Sequence, residues 1–220
     1  MISPPDATAP SRTGFRILWI VAGVLAVAGV VVWYFHNVSV ENNQRATREL
    51  ERIRPYYESG EFKTAIEGDP TKRIGTERVR GLREIVGEWS GTNAGKVSAL
   101  MLGNALLATD QPQKAAEPYH IAAESDDEMT RAAAHGGLGA VAESNKSYQE
   151  AADHYLEAAQ EDRSEVATPQ YMLQAARNLE RAGKKDEAIK YYRTIATKYA
   201  QAGEPSAQAR MALARNKVEL

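Results

Sequence analysis

Between residues 98 and 198 one constellation of small and aromatic residues occurs three times in register, in SALMLGNALLATDQPQKAAEPYHIAAES (98–125), AHGGLGAVAESNKSYQEAADHYLEAAQE (134–161) and YMLQAARNLERAGKKDEAIKYYRTIATK (171–198). The first window carries Leu102-Gly103, then Ala115, Tyr119 and Ala122, and the second Leu138-Gly139, Ala151, Tyr155 and Ala158. The third keeps Ala188, Tyr192 and Ile195 but replaces the Leu-Gly pair by Ala175-Ala176. Alanines 115, 151 and 188 are spaced by 36 and 37 residues. A unit of that length cannot bury its own apolar stripe and must stack on copies of itself, so the repeat excludes most globular folds. From residue 36 onward no convincing period-2 alternation occurs, and Ala, Glu, Lys, Gln and Leu dominate. The expected class is all-α.

These residues resemble the tetratricopeptide repeat, a unit of about 34 residues built from paired antiparallel helices. Gly103 and Gly139 would let the first helix of each pair approach the second closely. The Ala/Tyr/Ala stripe of the second helix, spaced by four and three, would fill the gap between repeats. The packing set is Gly103, Ala115, Tyr119, Gly139, Ala151, Tyr155, Ala188 and Tyr192. Turns are expected at 109–112, 144–146 and 182–184.

A second feature divides the chain. Ile17 to Phe35 (ILWIVAGVLAVAGVVVWYF) is a run of 19 residues without a charge. As a helix it would be roughly 28 Å long, the thickness of a bilayer's hydrocarbon core. Trp19 stands near one end and Trp33, Tyr34 and Phe35 at the other, as interfacial aromatics do. A cleaved signal peptide would have a shorter apolar region ending in small residues, whereas this run ends in bulky ones. A single membrane span is therefore expected, with 1–16 a disordered tail rich in Pro, Ser, Thr and Ala. Arg12 and Arg16 adjoin the run, while Arg45, Arg48, Arg52 and Arg54 on the far side alternate with Glu41, Glu49 and Glu51. This tips the N-terminus to the cytoplasm and residues 36–220 to the outside. Ala22, Ala26 and Gly29 place small residues on one face, a geometry that can support contact between spans and hence a homo-oligomer.

The layout is then 1–16 tail, 17–35 span, 36–95 helical linker and degenerate repeat, 96–204 three repeats, and 205–220 a capping helix. In the linker, 39–58 reads as helix, FKTAIEG as half of a degenerate repeat broken by Gly68-Asp69-Pro70, and 76–89 as a further helix. The arrangement of tail, span, EGDPTKRIGTERVRGLREIVGEW and repeats resembles the YfgM-type ancillary subunits of the SecYEG translocon, which share a repeat domain with the periplasmic coordinator CpoB. The resemblance implies a bitopic inner-membrane protein of a Gram-negative bacterium whose repeats bind other proteins near the export channel or envelope chaperones.

Composition narrows the chemistry. With 27 Lys+Arg against 29 Asp+Glu and a net charge of −2, the chain lacks the basic surface of a nucleic-acid binder. Having no cysteine, it has no disulfide, thiolate nucleophile or cysteine-ligated zinc. No GxxxxGK[ST], GxSxG or HExxH motif occurs. Asn37-Val38-Ser39 matches a glycosylation sequon but abuts the apolar run. The acidic stretch Glu124–Glu128 lacks the spacing and glycine of a calcium loop and reads as a helix-starting turn. Among the histidines, His36 lies at the membrane edge. His120 follows and His154 precedes the packing tyrosine of its repeat, and a metal shared between them would need rings from adjacent repeats to converge. His135 would line a groove or pack. No metal, cofactor or catalytic residue is expected.

What remains is the inner surface of the stacked repeats, lined mainly by the first helix of each pair. Its candidates are Met101 and Asn104 in the first repeat, Arg131 and His135 in the second, and Tyr171, Gln174, Arg177 and Asn178 in the third. Such a mixture can hold an extended or helical segment of a partner. The reading is a membrane-anchored, non-enzymatic scaffold for other proteins; the alternative is a permanent structural subunit of a larger membrane complex.

Overall fold

The structure, a computed structural model, describes residues 12–74 and 77–218. The chain divides into two compact units, Met1–Asn42 and Asn43–Leu220. Helix α1 (Arg12–Glu58) begins inside the stretch expected to be a disordered tail, of which residues 1–11 lie outside those described. Within the first unit, Val24, Leu25, Val27, Val30, Val32 and Trp33 are each more than 60% exposed on this helix. Among the described residues no helix is long and apolar enough to cross a membrane. The side chains of 17–20, 23, 26 and 35, which belong to the expected span, lie outside those described.

The second unit contains the end of α1, α2 (Phe62–Glu67), strands β1 (Gly68–Ile74) and β2 (Glu77–Arg80), and α3 (Leu82–Trp89). Seven more helices follow: α4 (Asn93–Ala108), α5 (Pro112–Ala123), α6 (Glu128–Ser144), α7 (Tyr148–Glu161), α8 (Ala167–Arg181), α9 (Lys185–Lys198) and α10 (Glu204–Arg215). Each of α4 to α9 packs against its successor, and α10 returns onto α9 and α8. The pairs α4/α5, α6/α7 and α8/α9 are the three repeats.

One turn chemistry recurs at five helix ends. Residues 60, 110, 146, 183 and 217 take a positive φ of 79°, 59°, 63°, 80° and 55°. At each, one amide bonds three residues back and the next bonds five back, as in Asp110→Leu107 (3.0 Å) and Gln111→Leu106 (2.8 Å). This is the Schellman motif, which satisfies carbonyls that a helix end would otherwise orphan. The same motif closes α1 and α10.

The all-α expectation needs correction between 68 and 80. Instead of a break followed by a helix over 76–89, β1 and β2 pair antiparallel with an irregularity between Asp69 and Arg73, and the helix starts only at Leu82. Backbone crowding explains the closure. An added Cβ on Gly68, whose φ is +83°, would lie 2.6 Å from the Gly81 nitrogen. One on Gly81 would meet Gly68 at 2.4 Å. Two facing glycines let the strands meet where side chains would collide. Only Val79 of β2 is buried, so no alternating pattern announces the strand.

The core of the repeats follows the tyrosines. Tyr119 is fully buried, and its ring fills the space left by Gly103 on α4 and Gly137 on α6. A Cβ on either glycine would come within 2.6 Å and 2.3 Å of that ring, respectively. Gly139 faces the Tyr155 ring in the same way at 3.0 Å. Ala115, Ala151, Ala188, Tyr155 and Tyr192 are buried beside them. The structure thus seats one large ring per repeat between small residues, which gives the dense packing cores require.

Candidate protein-binding groove

Carboxylates join successive repeats. Glu143, at the end of α6, accepts from Tyr155 Oη (3.3 Å) on α7 and from Asn178 Nδ2 (3.1 Å) on α8, and pairs with Arg181. Thirty-seven residues later Glu180 repeats the role. It accepts from Tyr192 Oη (2.9 Å), Arg215 Nη2 (2.6 Å) and Asn216 Nδ2 (3.1 Å). Burial pushes the Glu180 carboxyl upward, but the hydrogen bonds from Arg215, Asn216 and Tyr192 outweigh it, and the group sits below its ordinary range. The neighbouring Tyr119, Tyr155 and Tyr192 hydroxyls are all pushed up, chiefly by burial.

Against this frame α8, α9 and α10 enclose a run of connected hollows. The central one, of about 400 Å³, is lined by Gln170, Leu173, Gln174, Arg177, Pro205 and Gln208. One neighbour shares Gln170 and reaches Val166, and another shares Arg177 and reaches Met211. Val166 and Met211 are 72% and 63% exposed, large apolar side chains at two ends of a polar middle. Arg177 crosses the middle to bond Gln208 on α10 and contacts Gln174 on its own helix. An apolar–cationic–apolar surface of this kind can take a peptide that carries spaced apolar anchors and an acidic group.

Two residues expected to line a groove, Gln174 and Arg177, therefore do so. The others are placed differently. Asn178 is fully buried, held by Glu143 and by the Gln174 carbonyl at 3.0 Å; it joins repeats and cannot touch a partner, a correction to the expected groove. Met101 packs against the first core cluster. Asn104 accepts from Tyr119 Oη at 2.7 Å and donates to Tyr57 Oη at 3.2 Å. Arg131 is committed internally, to Glu161 at 2.7 Å and to the carbonyls of Ser125 and Asp126 at 2.9 and 3.0 Å. Tyr171 covers Gly136, where an added Cβ would lie 2.7 Å from its ring. His135 meets His154 and Glu157, a grouping within one repeat that a comparison of His120 with His154 across adjacent repeats does not reveal. Gln208 and Met211 carry no groove signal in the sequence, because α10 reads as a cap. Gly137 is signalled only as half of a Gly-Gly pair in the first helix of the second repeat.

The acidic turn before α6 behaves as a helix start: Asp127 accepts from the Thr130 amide at 2.8 Å and from its hydroxyl at 2.7 Å. Those bonds hold its carboxyl below the usual range.

Stacked antiparallel helix pairs, one aromatic per pair and a carboxylate ladder between them define an α-solenoid of the tetratricopeptide type. Residues 100–166 match the tetratricopeptide repeat family. Two solved structures share the fold, both of a Podosopora anserina protein described as kinesin light chain nearly identical TPR-like repeats. One is 19% identical with a TM-score of 0.57, covering 79% of this chain and 85% of that one. The other, a single-substitution form of the same protein, is 18% identical with a TM-score of 0.57, covering 80% and 89%. No curated protein matches the sequence. Repeats of this family generally bind other proteins and typically serve as non-enzymatic interaction modules.

Proposed function

We propose that this chain is a membrane-tethered scaffold whose repeats, outside the cytoplasm of a Gram-negative cell, bind proteins of the export channel or envelope chaperones through the α8–α10 groove. The observation that carries the binding reading is the groove itself, with Arg177 between exposed Val166 and Met211, on repeats of a kind that generally bind other proteins. Anchoring is supported by the uncharged run 17–35 and by the valines of α1 that stand exposed within it. Large contiguous apolar surface of that kind needs a cover, and lipid suits a helix that is apolar on every side. Tethering would raise the local concentration of a weak groove near a membrane complex. The polar middle of the groove favours reversible capture over a permanent subunit contact, whose core would be more apolar.

The chain has no cysteine, so one introduced at Met211 reports cleanly on both points. In intact cells of a Gram-negative host, Met211→Cys should react with an inner-membrane-impermeant maleimide. Labelling only after lysis would place the repeats in the cytoplasm and end the envelope reading. A photo-crosslinker at the same position should capture a channel subunit or envelope chaperone, and Arg177→Glu should abolish that adduct. Capture unchanged by Arg177→Glu would remove the groove from the mechanism.

A further inference from the structure

We propose that His135, His154 and Glu157 form a site for one divalent transition-metal ion of the zinc, nickel and copper class. His135 lies on α6, whereas His154 and Glu157 lie three residues apart on α7, so the two helices of the second repeat face each other across the site. The Nδ1 atoms of His135 and His154 both stand 2.9 Å from the same oxygen, Glu157 Oε2. The rings are stacked with centroids 6.1 Å apart at 28°. One donor atom from each of the three residues lies within 4.8 Å of the other two.

The contacts within the group are incomplete. His154 Nδ1 makes a hydrogen bond to Glu157, but the buried Nδ1 of His135 has no hydrogen-bond partner despite its proximity. Its approach to the carboxylate has the distance of a hydrogen bond without the direction. A metal ion would use both imidazole nitrogens and the carboxylate oxygen at once. Donors bound at about 2.0–2.1 Å in a tetrahedral shell stand about 3.3 Å apart, close to the two 2.9 Å separations from Glu157 Oε2. Two imidazoles with one carboxylate suit zinc, nickel or copper, whereas calcium and magnesium want oxygen alone. The side chains of both histidines are 22% exposed and that of Glu157 is 50% exposed, so an ion can enter from solvent. A shallow hollow edged by Tyr148, Gln149 and Asp153 opens beside His154 and Glu157, leaving room for water or a partner's side chain in a fourth position. Occupancy would pin α6 to α7 and stiffen the middle repeat. This site is independent of the groove and of the membrane reading.

The test is titration of tag-free, full-length protein in detergent with zinc alone by calorimetry, and with cobalt alone by visible absorption. One equivalent of saturable zinc binding is expected, with cobalt producing the absorption of a low-coordinate nitrogen–oxygen site. His135→Ala and His154→Ala should each weaken zinc binding by at least the ~10–100-fold that loss of an outer-shell partner costs. Glu157→Gln, at an exposed position, should do likewise. Melting curves in chelator establish that each variant folds, and His120→Ala, on exposed surface outside the group, should bind as wild type. Absence of saturable binding by folded wild-type protein, or binding that survives the His135→Ala/His154→Ala double substitution, would overturn the site.

Discussion

Gly137→Ala offers a sharp test of how the repeats are held together, because its effect should change sign with its neighbour. An ideal Cβ at Gly137 would lie 2.3 Å from Cε1 and Cζ of Tyr119. The ring cannot retreat: Gly103 backs it on α4, Asn104 holds its hydroxyl at 2.7 Å, and it is fully buried. Overpacking at such a place costs about 3 kcal/mol. Replacing glycine by alanine inside a helix returns about 1 kcal/mol, so the net destabilisation is about 2 kcal/mol. For a chain of this size that lowers Tm by roughly 4–8 °C. Tyr119→Leu removes the outer ring atoms while keeping an apolar stem. In that background Gly137→Ala should stabilise by up to ~1 kcal/mol, a coupling of about 3 kcal/mol. Thermal and urea melts followed by circular dichroism on the four proteins of the cycle measure it. Gly87→Ala is the control, since that glycine is exposed and a Cβ there meets nothing within 4 Å. Equal effects of Gly137→Ala in both backgrounds would refute the account of Tyr119 as a wedge between two glycines.

Three further outcomes follow from the same structure. Gly95→Ala should destabilise by about 3 kcal/mol, measured by urea melts, because its Cβ would lie 1.8 Å from the Trp89 carbonyl oxygen, which is backbone and cannot step aside. Asp127→Ala should cost about 1 kcal/mol through loss of the α6 cap, and Asp127→Asn should recover most of it in the same melts. Glu180 binds its proton more weakly in the folded chain than its ordinary value of 4.5, so it stabilises the fold above that pH. The contribution is lost as pH falls through the lower folded value. The Tm gap between wild type and Glu180→Gln should therefore be widest near neutrality and shrink as the pH falls below 4.5.

The helical class, the three-fold repeat and the turns at 109–112, 144–146 and 182–184 were legible because each depends on local spacing. A helix face, a small residue and a turn residue recur at fixed offsets, and stacking follows from an apolar stripe too wide to leave wet. The β-hairpin was not legible, since it rests on two glycines 13 residues apart that touch only when the chain closes. Asn178 illustrates the same limit. Its place on the first helix of a repeat marks it as a groove residue, yet its contact with Glu143, 35 positions earlier, turns it inward.

The amino-acid sequence by itself determined that this chain must stack helices and that residues 17–35 form an uncharged apolar run, because periodicity and hydropathy are properties of neighbouring residues. Only the tertiary structure decided which polar residues face solvent, which carboxylates bridge repeats, and that His135 meets His154. Those outcomes depend on the rotation of one helix against the next, set by how each tyrosine seats between its glycines and alanines.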